Sequence, residues 1–167
     1  MHEPMRSTEG EMATGMGFFQ RLRSSVTTKT TLLEELAILA GNNHGLVERM
    51  RRHAAICPYQ NIRAGVVALA EKESQHVKSL NAILSDHNVW AKAPELPLHD
   101  GSNNWARLSG DLALLGTLAA DLRLASVKWE SVDEKISNQL RDIANQDDEH
   151  ESELRKLAMK CDAMALD

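Results

Sequence analysis

Two segments of this chain each place an acidic residue and a histidine, three positions apart, on an otherwise apolar helix face. The first pair is Glu73 and His76, and the second is Asp147 and His150. Apolar residues recur at steps of three and four around both pairs, and such steps keep side chains on one side of an α-helix. These apolar residues are Ile62, Val66, Leu69, Leu80 and Ile83 around the first pair, and Ile136, Leu140, Ile143, Leu154, Leu157 and Cys161 around the second. The sequence therefore predicts two helices that each turn an acid and an imidazole toward the core.

Burial of these four polar side chains costs free energy that other interactions must offset. An isolated buried carboxylate costs several kcal/mol unless it is paired or bound to a metal. The acid and the histidine of each pair lie one helical turn apart, so both can converge on one point. Either the acids and imidazoles satisfy one another, or a charged group lies between them.

The composition favours one all-α domain. The chain has 167 residues, few aromatic residues (4%) and many helix-forming residues, whereas sheets depend on aromatic and β-branched side chains. A net charge of -5 weighs against a nucleic-acid partner. No apolar run approaches the roughly 18 residues of a membrane span, and no signal-peptide pattern opens the chain. Two isolated cysteines indicate buried thiols rather than a disulfide framework, and we expect a cytoplasmic protein without a membrane partner.

The chain divides into a leader and a helical domain. Residues 1–28 show no sustained periodicity and are predicted to be a flexible leader, with the domain at 29–167. Thr31 and Ser131 each precede a glutamate by three positions, and this capping-box spacing predicts that helices 1 and 4 begin there.

The breaks between helices predict the topology. Cys57-Pro58-Tyr59 ends helix 1, and a short turn near 131 separates helices 3 and 4. A long connection from Trp90 to Asn104 contains two prolines and a glycine. Short turns join antiparallel neighbours, and a link of roughly 15 residues can cross the length of a bundle. The pattern indicates a four-helix bundle with one crossover, between helices 2 and 3.

Two segments resemble the acidic-x-x-His-x-x-x-Leu segment of the rubrerythrin-like branch of the ferritin-like superfamily. They are residues 70–80 and 144–154, and the resemblance extends over about residues 30–162. It implies a ferritin-like antiparallel bundle that holds two iron or other divalent metal ions. The implied ligands are a Glu from each of helices 1 and 3 and Glu-x-x-His from helices 2 and 4. The implied activity is oxidation of ferrous iron, or reduction of peroxide or oxygen, with an external electron donor because the chain has no CxxC pair.

The chain departs from the family pattern at three of the acidic positions. Asp147 replaces the Glu of helix 4, and Asn42 and Thr117 stand where helices 1 and 3 would carry acids. The nearest acids further along these helices are Glu48 and Asp121. These two complete the set of candidate ligands.

Two hypotheses of different classes follow, and whether the chain is an enzyme stays open. The first is a rubrerythrin-like metal-binding protein, a homodimer with iron, manganese or zinc. Its six candidate ligands are Glu73, His76, Asp147, His150, Glu48 and Asp121. The second is a non-catalytic, self-associating helical bundle that kept the fold and lost the metal site. In that case Glu73 would pair with His150 and Asp147 with His76, with no cofactor.

One basic cluster receives a surface interpretation. The run from Glu48 to His53 contains three arginines, and such runs are typical of a solvated helix face. We therefore expect Arg49 and His53 to be exposed.

Overall fold

Four α-helices make up the part of the chain that the structure describes. The computed structural model describes residues 12–96 and 101–164, with side chains for 26–96 and 101–161. The helices are α1 (Met12–Ile56), α2 (Gln60–Ser85), α3 (Asn104–Trp129) and α4 (Glu134–Met164). No strand occurs within the described ranges, and the all-α prediction is confirmed.

Helix α1 begins earlier than the capping pattern predicts. It starts at Met12 rather than near Thr31. The hydroxyl of Thr31 donates to the carbonyl of Thr27 at 3.1 Å, and Thr30 does the same to Val26 at 3.0 Å. Threonine hydroxyls that bond one turn back are satisfied inside a helix and do not cap a new one. Residues 1–11 lie outside the described part, and the division into leader and domain stays a prediction.

The start of α4 is capped by a different residue from the one predicted. The carboxylate of Asp133 accepts the backbone N–H of Lys135 at 3.1 Å and that of Ile136 at 3.2 Å. Asp133 therefore satisfies the free amides of the first turn, as an N-cap residue does, in place of Ser131.

Ion pairs between helices show how the bundle is arranged. Helix α1 packs on α2 and α3, and α4 packs on the same two helices. Glu35 of α1 pairs with Lys128 of α3 at 2.7 Å, and Arg49 of α1 pairs with Asp111 of α3 at 2.7 Å. The contact position moves back along α3 as it moves forward along α1, so these two helices run antiparallel.

The connection between α2 and α3 lies along α1. The backbone N–H of Lys92 donates to the carbonyl of Ala37 at 2.9 Å, and that of Glu95 donates to Asn42 Oδ1 at 2.8 Å. A Cβ atom added at Gly41 would lie 2.0 Å from the carbonyl oxygen of Lys92, so only glycine allows this approach. Asn42 therefore holds the connection against α1.

The apolar core consists of two clusters. The first cluster contains Leu32, Leu33, Leu36, Ala37, Ala40, Leu80, Ile83, Leu84, Leu122, Ala125, Trp129, Ile136, Leu140, Ile143 and Ala144. The second cluster contains Leu46, Met50, Ala54, Cys57, Ile62, Val66, Leu69, Ala70, Leu108, Leu115, Leu118, Leu154, Ala158 and Cys161. On α2 the gap between the clusters spans 71–79, and on α4 it spans 145–153. Both acid-histidine pairs lie in these gaps, so they form a polar layer between two apolar ones.

The two cysteines are buried, as the sequence predicts. Cys57 and Cys161 both belong to the second cluster. Burial, together with the neighbouring thiol of Cys57, raises the pKa of Cys161 to about 11. Raised thiol pKa values accompany inert, structural cysteines.

The described helices are not of the membrane-spanning kind. None of them is both long enough and apolar enough to cross a membrane.

Candidate metal centre

Four of the six predicted ligands meet in the polar layer. Glu73, His76, Asp147 and His150 are all buried, and each offers one ligand atom that lies within 4.8 Å of the other three. The two pairs come from α2 and α4, which are antiparallel neighbours also joined at the surface by Lys72 and Glu153 at 2.8 Å. Local helix spacing brings each acid beside its histidine, and the packing of α2 on α4 brings the pairs together.

Each imidazole contacts the acid of the opposite helix. His150 donates its Nδ1–H to Glu73 Oε1 at 2.5 Å. His76 Nδ1 lies 2.8 Å from Asp147 Oδ1 in an ion pair that is not aligned as a hydrogen bond. The other nitrogen of His76, Nε2, lies 3.1 Å from Gln146 Oε1. Gln146 thus orients the ring of His76 and leaves Nδ1 directed at the carboxylates.

The layer shifts the pKa values of three of its members. Burial lowers the pKa of His76, but contacts with Asp147, Glu73 and Gln146 outweigh it and raise that pKa to about 10. Burial alone would raise the pKa of Glu73, but the contacts of its carboxylate with His150 and His76 outweigh burial and lower that pKa below its usual value. Burial raises the pKa of Asp147 more than His76 lowers it, and the charge of Glu73 adds to the increase. Such perturbed groups in one buried cluster are typical of functional sites.

Several lone pairs of this layer have no hydrogen-bond donor. Glu73 Oε2 and Asp147 Oδ2 are buried without a hydrogen-bond partner, and Asp147 Oδ1 has only its ion pair with His76. A buried acceptor without a donor costs roughly 1–3 kcal/mol, and more when it is charged. A cation among these oxygens would satisfy them. Two carboxylates and two imidazoles form a donor set that suits iron, manganese and zinc.

The two remaining candidate ligands lie outside this group. Glu48 is exposed and accepts a hydrogen bond from Arg51 at 2.8 Å. Asp121 is exposed on α3. Thr117, which the resemblance would place at the acid position of helix 3, donates its hydroxyl to the carbonyl of Ala113 at 3.0 Å. The structure therefore brings together candidate ligands from α2 and α4, and the contribution of Glu48 and Asp121 stays a prediction.

A second buried polar cluster joins α1 to α3, and the surface interpretation of the basic run was wrong for it. Arg49 Nε lies 2.7 Å from Asp111 Oδ1, and His53 Nδ1 lies 2.7 Å from Asp111 Oδ2. Asp111 is 0% exposed, and both partners are buried. The physical reason is that α1 is covered on two faces, by α2 and by α3, so its buried stripe is wider than one row of residues.

A sequence signal for this cluster existed. Asp111 lies three positions after Leu108 and four before Leu115, and both leucines are buried. An acid within an apolar row is the same anomaly that identifies Glu73 and Asp147. Gly110 completes the arrangement, because a Cβ there would lie 2.6 Å from the guanidinium of Arg49.

Fold and site together define a class. The chain is an all-α bundle with a buried Glu/His/Asp/His cluster in which a divalent metal ion could bind. No protein-family model matches the sequence, and no curated protein matches it either.

Proposed function

We propose that this chain is a rubrerythrin-like metal-binding protein that holds a divalent ion between α2 and α4. The observation that carries the proposal is the set of buried carboxylate oxygens without donors in Glu73 and Asp147. Two imidazoles, His76 and His150, offer ligand atoms within 4.8 Å of these carboxylates. Apolar clusters on both sides keep water away, which strengthens the attraction between a cation and its ligands.

Charge balance favours one ion per chain. The two carboxylates carry two negative charges and neutralise one divalent ion. A second ion would leave two positive charges uncompensated in a buried site, which is costly. The acids that would complete a two-ion site are replaced by Asn42 and Thr117. We therefore expect a stoichiometry near one, whereas a two-ion site of the rubrerythrin type would take up two.

Iron is our first candidate for the ion, and reaction with a small oxidant is the activity we propose. Bound iron would supply the electron transfer to peroxide or oxygen. The residues around it would hold the ligands in place. Gln146 fixes the ring of His76, and His150 is held by Glu73. The chain has only two cysteines and no CxxC, so electrons would come from an external donor. A cytoplasmic location belongs to the same proposal.

The decisive experiment compares two neighbouring aspartates. We would titrate chelator-treated protein with Fe²⁺, Mn²⁺ and Zn²⁺ by calorimetry and measure the metal content of protein purified without chelator. Asp147→Asn should weaken binding by more than about 100-fold, because loss of outer partners alone costs roughly 10- to 100-fold. Asp148→Asn is the matched control, since Asp148 is exposed and pairs with Arg123. Equal affinities for both variants, or no binding to the unaltered protein, would refute the proposal.

A second candidate function has one specific observation in its favour. Each imidazole already lies against a carboxylate, His150 on Glu73 and His76 on Asp147, as the non-catalytic alternative requires. In that case the layer would only define the packing of the bundle. The metal titration decides between the two candidates, because a purely structural layer would bind no ion.

Self-association is part of both candidates, and we propose that it uses the outer face of α3. Ala113, Thr117, Ala120, Leu124 and Val127 are exposed at steps of four and three, the spacing of a helix–helix seam. Small residues in the first half permit close approach of a second copy. The row carries no charge, so two identical faces would not oppose like charges. A chain with 26% charged residues would otherwise place charges on such a face.

Light scattering after size-exclusion chromatography tests this surface. The unaltered protein should elute as a dimer, and Leu124→Glu should shift it to a monomer. Met159→Glu is the control, because Met159 is at least as exposed as Leu124 but lies on α4. If the Leu124→Glu variant is still a dimer, the outer face of α3 is not the interface.

A further inference from the structure

Asn43 of α1 has a buried oxygen atom with no partner. The residue is 1% exposed. Its Nδ2 donates to the carbonyl of Leu39 at 2.8 Å, while Oδ1 has no hydrogen-bond donor. The reverse orientation of the amide would place two acceptors against each other at Leu39, so the oxygen is the free end. The free oxygen therefore needs a donor or a cation.

Asn43 lies in the same layer as the four candidate ligands. On α1 the first apolar cluster ends at Ala40 and the second begins at Leu46. The gap between the clusters on α2 holds Glu73 and His76, and Asn43 occupies the corresponding gap on α1. Ion pairs from α1 to α3, from α2 to α4 and from α3 to α4 keep all four helices in register. Asn43 is thus the buried polar residue that α1 brings to the level of the site.

Within the described ranges, helix α3 offers no buried polar side chain at this level. Its gap between the clusters runs from Leu118 to Leu122, and the buried residue inside that gap is Ala119. Among the described residues, the polar layer is therefore made by α1, α2 and α4. A metal ion between α2 and α4 would have an apolar wall on the α3 side and an amide oxygen on the α1 side.

We propose that Asn43 Oδ1 is a further oxygen donor to the metal ion held by the acid-histidine layer. This inference rests on the proposed metal site. Amide carbonyl oxygens are ordinary ligands of divalent cations. The amide is neutral, so it adds a ligand without disturbing the balance between one divalent ion and two carboxylates. Without metal, the unpaired oxygen costs stability; with metal, it is satisfied.

This role gives Asn43→Leu effects of opposite sign in the two states. Leucine is of similar size and has no unsatisfied acceptor, so the metal-free variant should melt at a higher temperature than the unaltered protein. The metal-bound variant lacks one donor, so its affinity for Zn²⁺ should fall roughly 10- to 100-fold. A residue with a purely structural role would show no such opposition.

Asn43→Asp provides the second variant. A third carboxylate should raise the affinity for Zn²⁺ and lower the melting temperature of the metal-free protein, because it adds a buried charge that only the ion compensates. Asn138→Asp is the matched control. Asn138 is exposed on α4 and lies outside the layer, so its change should leave metal affinity unaltered.

The experiment is done on the unaltered chain and the three variants. It measures the melting temperature of each with and without metal, and the affinity of each for Zn²⁺ and Co²⁺. The visible spectrum of bound Co²⁺ adds a direct view of the number of ligands. Support is a reduced metal-induced rise in melting temperature and an altered cobalt spectrum for Asn43→Leu. If the unaltered chain binds metal and Asn43→Leu binds it equally well with the same spectrum, the role of Asn43 is refuted while the metal site stands. If the unaltered chain binds neither ion, the metal site itself is refuted and this inference with it.

Discussion

The imidazole rings of His76 on α2 and His150 on α4 are stacked, with their centroids 5.1 Å apart and their planes at 17°. Each ring shares its helix with one acid and contacts the acid of the other helix. These contacts between helices join the two halves of the chain at one layer. It also brings both Nδ1 atoms to the carboxylate of Glu73, that of His150 at 2.5 Å and that of His76 at 3.5 Å, so a cation could be shared between them.

The pair formed by Glu73 and His150 should show strong energetic coupling in the metal-free protein. Glu73→Leu or His150→Leu alone leaves a buried partner without its counterpart, so each should lower the free energy of unfolding by about 3–5 kcal/mol. The loss of unfolding free energy in the double variant should be about 1–3 kcal/mol smaller than the sum of the two single losses. Urea denaturation in the presence of chelator measures all three. Additive losses would mean that the two side chains do not interact in solution.

Metal affinity should depend on pH through His76. Its pKa of about 10 means that the ring is protonated at neutral pH, and a metal ion must displace that proton. Affinity should therefore rise about tenfold per pH unit between pH 7 and 9, and one proton should be released per ion bound. A pH indicator in weakly buffered solution measures the release. An affinity that does not change over this range would contradict the prediction.

The same shift predicts how stability without metal depends on pH. The pKa of His76 is raised from 6.5 to about 10 on folding, so its stabilising contribution is complete below pH 6.5 and is lost as pH rises toward 10. The unfolding free energy of metal-free protein should decline across this window, and His76→Gln should make that decline shallower. Parallel pH profiles for both proteins would argue against a charged His76.

The buried cluster of α1 and α3 should contribute to stability without affecting metal binding. Asp111→Asn removes the charge that both Arg49 and His53 contact, and it should cost about 3–5 kcal/mol of unfolding free energy. Asp121→Asn, on the same helix but exposed, should change stability by less than about 0.5 kcal/mol. Thermal and urea denaturation measure the difference. Loss of metal binding in Asp121→Asn would instead support its predicted role as a ligand.

The contact of the connection with α1 should make Gly41 intolerant of a side chain. In a helix interior, Gly→Ala normally stabilises by about 0.5–1 kcal/mol. Gly41→Ala should instead destabilise by about 1–3 kcal/mol, because its Cβ would meet the backbone of Lys92. Gly116→Ala is the control: its Cβ would lie 3.4 Å from the flexible end of Glu151 and should be tolerated. Two variants of equal stability would place the connection elsewhere in solution.

Much of the helical framework and the centre of the site was predictable from the sequence. The repeat of apolar residues at steps of three and four is local, and it identified α2 and α4 together with the four residues Glu73, His76, Asp147 and His150. Their burial followed from the same spacing. The starts of α1 and α4 were harder to predict from the sequence. A hydroxyl or carboxylate near a helix end can bond to different backbone groups, and Thr31 and Asp133 each bond to groups that the capping pattern does not predict.

Tertiary structure decided what each helix presents to its neighbours. Arg49 and His53 are buried because α3 covers a second face of α1, and no local pattern records which neighbour covers which face. The role of Asn42 depends on a connection that has no periodicity, and the importance of Asn43 depends on the register of four separate helices. The sequence by itself determined that acids and histidines enter the core. Only the packing of the helices determined which of them meet, because such contacts join residues that are far apart in the chain.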